Sequence, residues 1–202
     1  MVDRSLDIQG TRRFHGHMCP GLALGIRASE IALREIGAHS ADEEVVAIVE
    51  TDMCGVDAIQ YLTGCTFGKG NLIHHDYGKN AFTFIRRSDG KALRILERPN
   101  AMGDPDPEHM ELFAKVRSGE ATPAEQARFQ TLHERRAQQV LEAPEEALFD
   151  VRPVETSIPE QAHILRSLKC DACGEMTMET RTRNFRGQVL CLPCFGAAVR
   201  RL

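Results

Sequence analysis

Val45-Val46-Ala47-Ile48-Val49-Glu50-Thr51-Asp52-Met53-Cys54-Gly55 is the stretch that decides how the chain is read. Its first five residues form a short, mostly β-branched run without polar alternation, which predicts a strand buried on both faces at the centre of a sheet. Val56, Ile59, Tyr61 and Leu62 then fall at roughly helical spacing, so a helix follows and Cys54 sits between the two elements. Sites in α/β-type architectures lie at such strand ends.

Upstream, Pro20 follows the polar cluster His15-Gly16-His17-Met18-Cys19 and suits a first helical turn, where its missing N–H is not needed. Leu22, Ile26, Ala28, Ile31, Leu33 and Ile36 predict a helix from Pro20 to Ile36, stopped by Gly37. Gly21 and Gly25, four apart, let another backbone approach closely. Downstream, Ala81 to Arg87 predicts a strand, Ser88-Asp89-Gly90 a turn and Lys91 to Leu96 the returning partner. Pro99 to Pro107 reads as a loop before a charged helical stretch. Thr122 and Glu125 fit a capping box for a helix reaching about Glu142. Phe149 to Val154 predicts one more strand, and Thr156 to Gln161 a linker. The expected fold class is an α+β core over residues 1–160, its sheet packed by helices and carrying a helical extension at about 107–142, with a second small domain over 161–202.

That small domain is defined by Cys170-x-x-Cys173 and, 17 residues on, Cys191-x-x-Cys194. Two residues between paired cysteines allow a turn that aims both sulfurs at one ion, and two such turns complete a tetrahedron. One structural zinc ion on Cys170, Cys173, Cys191 and Cys194 is the expectation. A hairpin over Thr177 to Val189 around Asn184-Phe185-Arg186-Gly187 and a short helix after Cys194 give a treble-clef-like module. Four thiolates leave no open position, so this ion stabilises rather than catalyses.

The 202-residue chain is 42% hydrophobic and 27% charged, within the ordinary folded range. Seven cysteines, an odd total, fit a disulfide framework poorly. The opening segment lacks the apolar stretch of a secretory signal and no run spans a membrane, so a cytoplasmic protein is expected. The net charge is −4, divided into +4 for Arg166 to Leu202 and −8 for the rest. Arg181, Arg183, Arg186, Arg200 and Arg201 raise nucleic-acid binding, but an acidic body repels phosphate and stacking aromatics are scarce. Docking on protein is the favoured reading of the basic tail.

His15-x-His17-x-Cys19 puts three metal-ligand types at alternate positions, which share one face of an extended chain. With Cys54, and Cys65 from the stretch Gly64 to Gly70, a mixed His/Cys site can be assembled; three ligands plus water would make it open and reactive. Cys54 at a helix N-terminus is also a candidate nucleophile. The same residues read equally as polar groups at a helix start and small core cysteines. Gly68-Lys69-Gly70-Asn71 and Asp76-Tyr77-Gly78-Lys79 offer Lys69 and Lys79 to an anionic cofactor, although neither is a phosphate-loop signature and ordinary turns explain both. His74 and His75 point apart in a strand, so at most one joins a site.

Phe14-His15-Gly16-His17-Met18-Cys19-Pro20-Gly21, Asp52-Met53-Cys54-Gly55-Val56-Asp57-Ala58-Ile59-Gln60, Gly68-Lys69-Gly70-Asn71 and Asp76-Tyr77-Gly78-Lys79-Asn80-Ala81-Phe82 together resemble the FmdE family, named for a component of formylmethanofuran dehydrogenase. The resemblance covers about Asp7 to Arg98. It implies an α+β core, a homodimer and, in some members, an appended four-cysteine finger. Carried over by motif, His17, Cys19 and Cys54 line the core's metal or catalytic site, with Cys65 and His15 as weaker candidates. The parent enzyme is a molybdenum- or tungsten-pterin system, whereas this chain has no iron–sulfur cysteine run of its own. Three functions follow: a metal-binding accessory protein or component of such a system, with a second metal of unidentified kind in the core; an independent thiol- or metal-dependent enzyme; and a zinc-finger nucleic-acid regulator.

Overall fold

A computed structural model describes residues 7–104 and 106–200. The opening segment through Leu6, Pro105 in the expected loop, and Arg201 and Leu202 of the basic tail lie outside the described residues. The chain divides into two compact units between Gln161 and Ala162.

The quoted run forms β1 (Val45–Val49) as expected, and the helix behind it is α3 (Gly55–Thr63), closed by Gly64 in the left-handed conformation at φ 72°. The hairpin is β3 (Ala81–Arg86) and β4 (Ala92–Glu97). A short strand that no sequence pattern announces, β2 (Leu72–His74), pairs parallel to β1, and β5 (Phe149–Pro153) joins β4. The sheet order is β2-β1-β3-β4-β5, so β1 is interior and β3, not β1, is central. Val49 pairs with Phe82 and Phe82 with Ile95, placing all three on the face that helices cover.

The covering helix is α2 (Pro20–Glu35), within one residue of the expected range. Leu22, Ala23, Ile26 and Ala28 are wholly buried, because sheet and helices enclose it on several sides. Leu22 and Ile26 each contribute roughly 1.5–3 kcal/mol by burial. Gly25 does what its spacing predicted: a Cβ there would lie 2.2 Å from the Gly55 carbonyl oxygen and 2.5 Å from its Cα. That crossing sets the start of α3 against the start of α2. On the other sheet face Val46, Ile85 and Ala92 form a smaller cluster, and Glu50 pairs with Arg94, whose Nη2 donates to Oε2 at 2.9 Å.

Helix α1 (Ile8–His15) precedes α2. It replaces the extended conformation expected for His15 to Cys19: His15 ends α1, Gly16 turns the chain at φ 98°, and Cys19 caps α2. Beyond β4, α4 (Pro107–Ser118) and α5 (Pro123–Glu142) make a helical hairpin. The Thr122/Glu125 capping box is present, with Glu125 N–H to Thr122 Oγ1 at 3.3 Å and Thr122 N–H to Glu125 Oε2 at 2.8 Å. A short α6 (Glu145–Leu148) leads into β5. Among the described residues no helix is long and apolar enough to cross a membrane.

The second unit begins with β6 (Ser167–Lys169) and β7 (Met176–Met178), an antiparallel pair around the first cysteine turn. A single 3-10 turn, Glu179–Arg181, leads to β8 (Thr182–Phe185) and β9 (Gln188–Cys191). Helix α7 (Leu192–Val199) follows. Two expectations are corrected here. The hairpin is shorter than Thr177 to Val189, because Thr177 belongs to β7, where it pairs with Leu168 of β6. The helix starts before Cys194, with Cys191 as its N-cap, so both sulfurs of the second pair arise at one helix start.

Candidate metal centres

In the C-terminal unit the four sulfurs of Cys170, Cys173, Cys191 and Cys194 all lie within 4.8 Å of one another, and Cys173 Sγ is 3.9 Å from Cys191 Sγ. A zinc–sulfur distance of about 2.3 Å gives a tetrahedral edge of about 3.8 Å. The cluster therefore fits one zinc ion. Backbone N–H groups of Cys173 and Cys191 pull the Cys170 thiol down to about 6, the latter donating to Sγ at 3.3 Å. Cys194 moves the other way, to about 12, under the influence of Cys191, burial and its other sulfur neighbours. A dication at the centre removes that mutual opposition.

In the core, His15, His17 and Cys19 place one ligand atom each within 4.8 Å of the others. Each is fixed by a helix end or bend: His15 by the last turn of α1, His17 by the bend after Gly16, and Cys19 by the start of α2, where its Sγ accepts from Leu22 N–H at 3.3 Å. His15 Nδ1 is 2.7 Å from Asp57 Oδ2. A carboxylate oxygen accepts, so Nδ1 is the donor of this pair and Nε2 is the nitrogen left to ligate. Nε2 lies 3.8 Å from Cys19 Sγ, near the edge of about 3.6 Å that zinc–nitrogen and zinc–sulfur distances give. A carboxylate behind a ligating imidazole is a recurrent support of metal sites. Burial, then His15 and Arg12, lower the His17 pKa and favour the neutral ligand form. Burial pushes the Cys19 thiol up to about 11; a bound cation acts in the opposite sense. These donors fit a divalent transition metal.

Cys54 is the N-cap of α3. Its thiol interacts with Cys19, and its Sγ would lie 3.9 Å from a Cβ at Gly21, so the α2–α3 crossing brings it to the cluster. It lines two cavities. One, of about 530 Å³, also meets His15, Asp57 and His74; the other, of about 410 Å³, meets His17 and Cys19. His74 thus lines the cavity that His15 meets, while His75 lies tilted against Tyr77 with ring centroids 5.4 Å apart. Cys65 is elsewhere, buried under β1 with its Sγ donating to the Val45 carbonyl at 3.4 Å. Lys69 donates to the carbonyl of Ser40 at 2.8 Å, and Lys79 Nζ lies 5.9 Å from the Tyr77 ring centroid. Neither lysine lines either cavity.

Three contributors went unseen in the sequence. Asp57, inside the quoted block, reads there as an ordinary acid in a first helical turn. His109 of α4 and His133 of α5 meet with Nε2 and Nδ1 3.0 Å apart and line the cavity beside His17 and Cys19. Burial lowers both pKa values, that of His133 to about 4. Their separation along the chain gave no signal.

Fold and clustered cysteines together define a mixed α+β protein with an appended four-cysteine finger. The chain belongs to the FmdE family: the family model described as "FmdE, Molybdenum formylmethanofuran dehydrogenase operon" matches residues 14–150. A second model, the prokaryotic dksA/traR C4-type zinc finger, matches residues 164–200. The chain is similar over its length to the crystal structure of a tungsten formylmethanofuran dehydrogenase FmdE-like protein from Syntrophus aciditrophicus. That likeness has a TM-score of 0.62 and 25% identity, covering 95% of this chain and 91% of the other. It is also 40% identical over 195 residues to an Archaeoglobus fulgidus protein described as a probable S-adenosyl-L-methionine-binding protein, covering 92% of this chain. The chain spans about half, 51%, of that curated relative's length.

Proposed function

We propose that the core is a metal-binding accessory component of a formylmethanofuran dehydrogenase-type system, with the ion held by His15, His17 and Cys19 and with Cys54 alongside. The observation that carries this is the convergence of three donor atoms within 4.8 Å, backed by Asp57 on His15. When bound, such an ion supplies Lewis acidity. The chain's own residues orient the imidazoles, keep His17 neutral and hold Cys19 against the start of α2. The finger is read as treble-clef-like, from its cysteine turn, hairpin and helix start, and as purely structural. Homodimer formation, association with other components of a molybdenum or tungsten enzyme and a cytoplasmic location complete the proposal.

Cobalt(II) substitution tests the core reading. In a Cys170→Ser/Cys173→Ser background a thiolate-to-cobalt band is expected, and it disappears on adding Cys19→Ser. Absence of that band in the double variant contradicts the site. Deletion of the gene with no change in formylmethanofuran dehydrogenase activity contradicts the accessory role. Cys54, between two cavities and at a helix N-cap, favours one further reading, an independent thiol-dependent enzyme. Stoichiometric alkylation of Cys54 that leaves every ligand response intact counts against it.

A further inference from the structure

The cavity of about 410 Å³ beside His17 and Cys19 is within the size range of small-molecule sites, and its charge is unlike its surroundings. The body of the chain is acidic, and the two cavities nearby in the same unit carry Asp52 and Asp57, or Glu30, Glu134 and Glu142. Among the described residues no Asp or Glu lines this one. Its permanent charge is Arg136 of α5, whose guanidinium donates to the Met102 carbonyl at 3.3 Å; no described carboxylate pairs with it. Arg136 is the one permanently charged side chain among the described lining residues, and its planar guanidinium matches a carboxylate. Phe82, Met110 and Phe113 supply apolar wall. His109, 7% exposed, lines the same cavity and has a buried Nδ1 with no hydrogen-bond partner among the described residues. Buried polar atoms are nearly always paired in native proteins.

We propose that this cavity binds an organic monocarboxylate with an aromatic or branched apolar body, the carboxylate on Arg136 and the body against Phe82, Met110 and Phe113. The inference rests on the core-metal reading for its purpose, since the anion lies beside the ion, but not for its binding. S-adenosyl-L-methionine brings a sulfonium cation that no carboxylate of this cavity offsets, so it is expected to bind less well than phenylacetate.

The test is calorimetric titration of the full, zinc-loaded chain with a series of monocarboxylates from acetate to phenylacetate, and with the neutral phenylacetamide and S-adenosyl-L-methionine. Phenylacetate is expected to bind best, and its amide roughly tenfold or more weaker, the scale of a lost charge-assisted hydrogen bond. Arg136→Gln should lose as much, while Arg136→Lys keeps part of the affinity. Elemental analysis of each variant accompanies the titrations. Unchanged metal with no carboxylate binding at millimolar concentration overturns the inference and spares the metal site. Carboxylate binding to a core without metal sinks the metal reading alone. Equal affinity for acid and amide, an unaffected Arg136→Gln, or S-adenosyl-L-methionine displacing phenylacetate also overturns the proposal.

Discussion

The two sulfur-bearing clusters of this chain are built in opposite ways. The C-terminal one draws four like ligands from two adjacent turns, and a tetrahedral ion on it is closed. The core one draws unlike ligands from the end of α1, a bend and the cap of α2, with Asp57 reaching in from α3 and a cavity beside it. Folding and ligation are one event in the first. In the second the sheet and helices fold around their own hydrophobic core, and the donor cluster is a product of how helix ends meet. A closed site lends itself to stability and an open one to binding, and each perturbation below should strike one and spare the other.

The largest separation is expected from metal removal. A strong chelator should unfold residues 162–200, for which metal binding supplies on the order of 10 kcal/mol, and leave the five-stranded sheet folded. Hydrogen exchange resolved by residue reads this directly; loss of protection in β1 and β3 together with the finger contradicts it. Next comes Glu50→Gln, which leaves the half-buried Arg94 without its carboxylate and should cost the core about 1.5–3 kcal/mol in denaturant unfolding. Arg94 holds the Glu50 pKa below its ordinary value. Its stabilisation is therefore full above the unfolded-state pKa and lost as pH falls through the folded one. The parent's stability should fall more steeply below about pH 4.5 than the variant's, and parallel acid curves refute the linkage.

Asp57→Asn is aimed at the open site. Core metal affinity should drop about 10- to 100-fold with the finger's zinc unchanged, as competitive chelator titration would register; an unchanged affinity removes Asp57 from the site. The smallest effect is expected from Thr122→Ala. Loss of the cap should cost about 1 kcal/mol in thermal unfolding and leave both metal affinities alone, because packing of α1, α2 and α3 places the ligands. A matching loss of core metal would show that α5 helps to position them.

The same difference in construction governs what could be read in advance. The finger was legible because its ligands are near neighbours in sequence and of one type. The Pro20 helix, the Val45–Val49 strand and the Thr122 capping box were legible because periodicity and capping act within a few residues. Gly25 was half legible: its spacing announced a close approach, but only the fold shows that Gly55 is what approaches. β2 escaped because three residues carry no period, and α1 because its polar composition hides an amphipathic turn of eight residues. Asp57 reaches one cavity, and His109, His133 and Arg136 the other, through tertiary packing. Nothing local distinguishes them from solvent-facing residues on a helix.

Metal counting is the most direct measurement: elemental analysis of the purified parent and of the Cys170→Ser/Cys173→Ser double variant. Two ions per parent chain are expected, with one surviving the double substitution and lost when His15 and Cys19 are also replaced. One ion in the parent and none in the double variant would contradict the core site and leave the finger as the chain's sole metal centre.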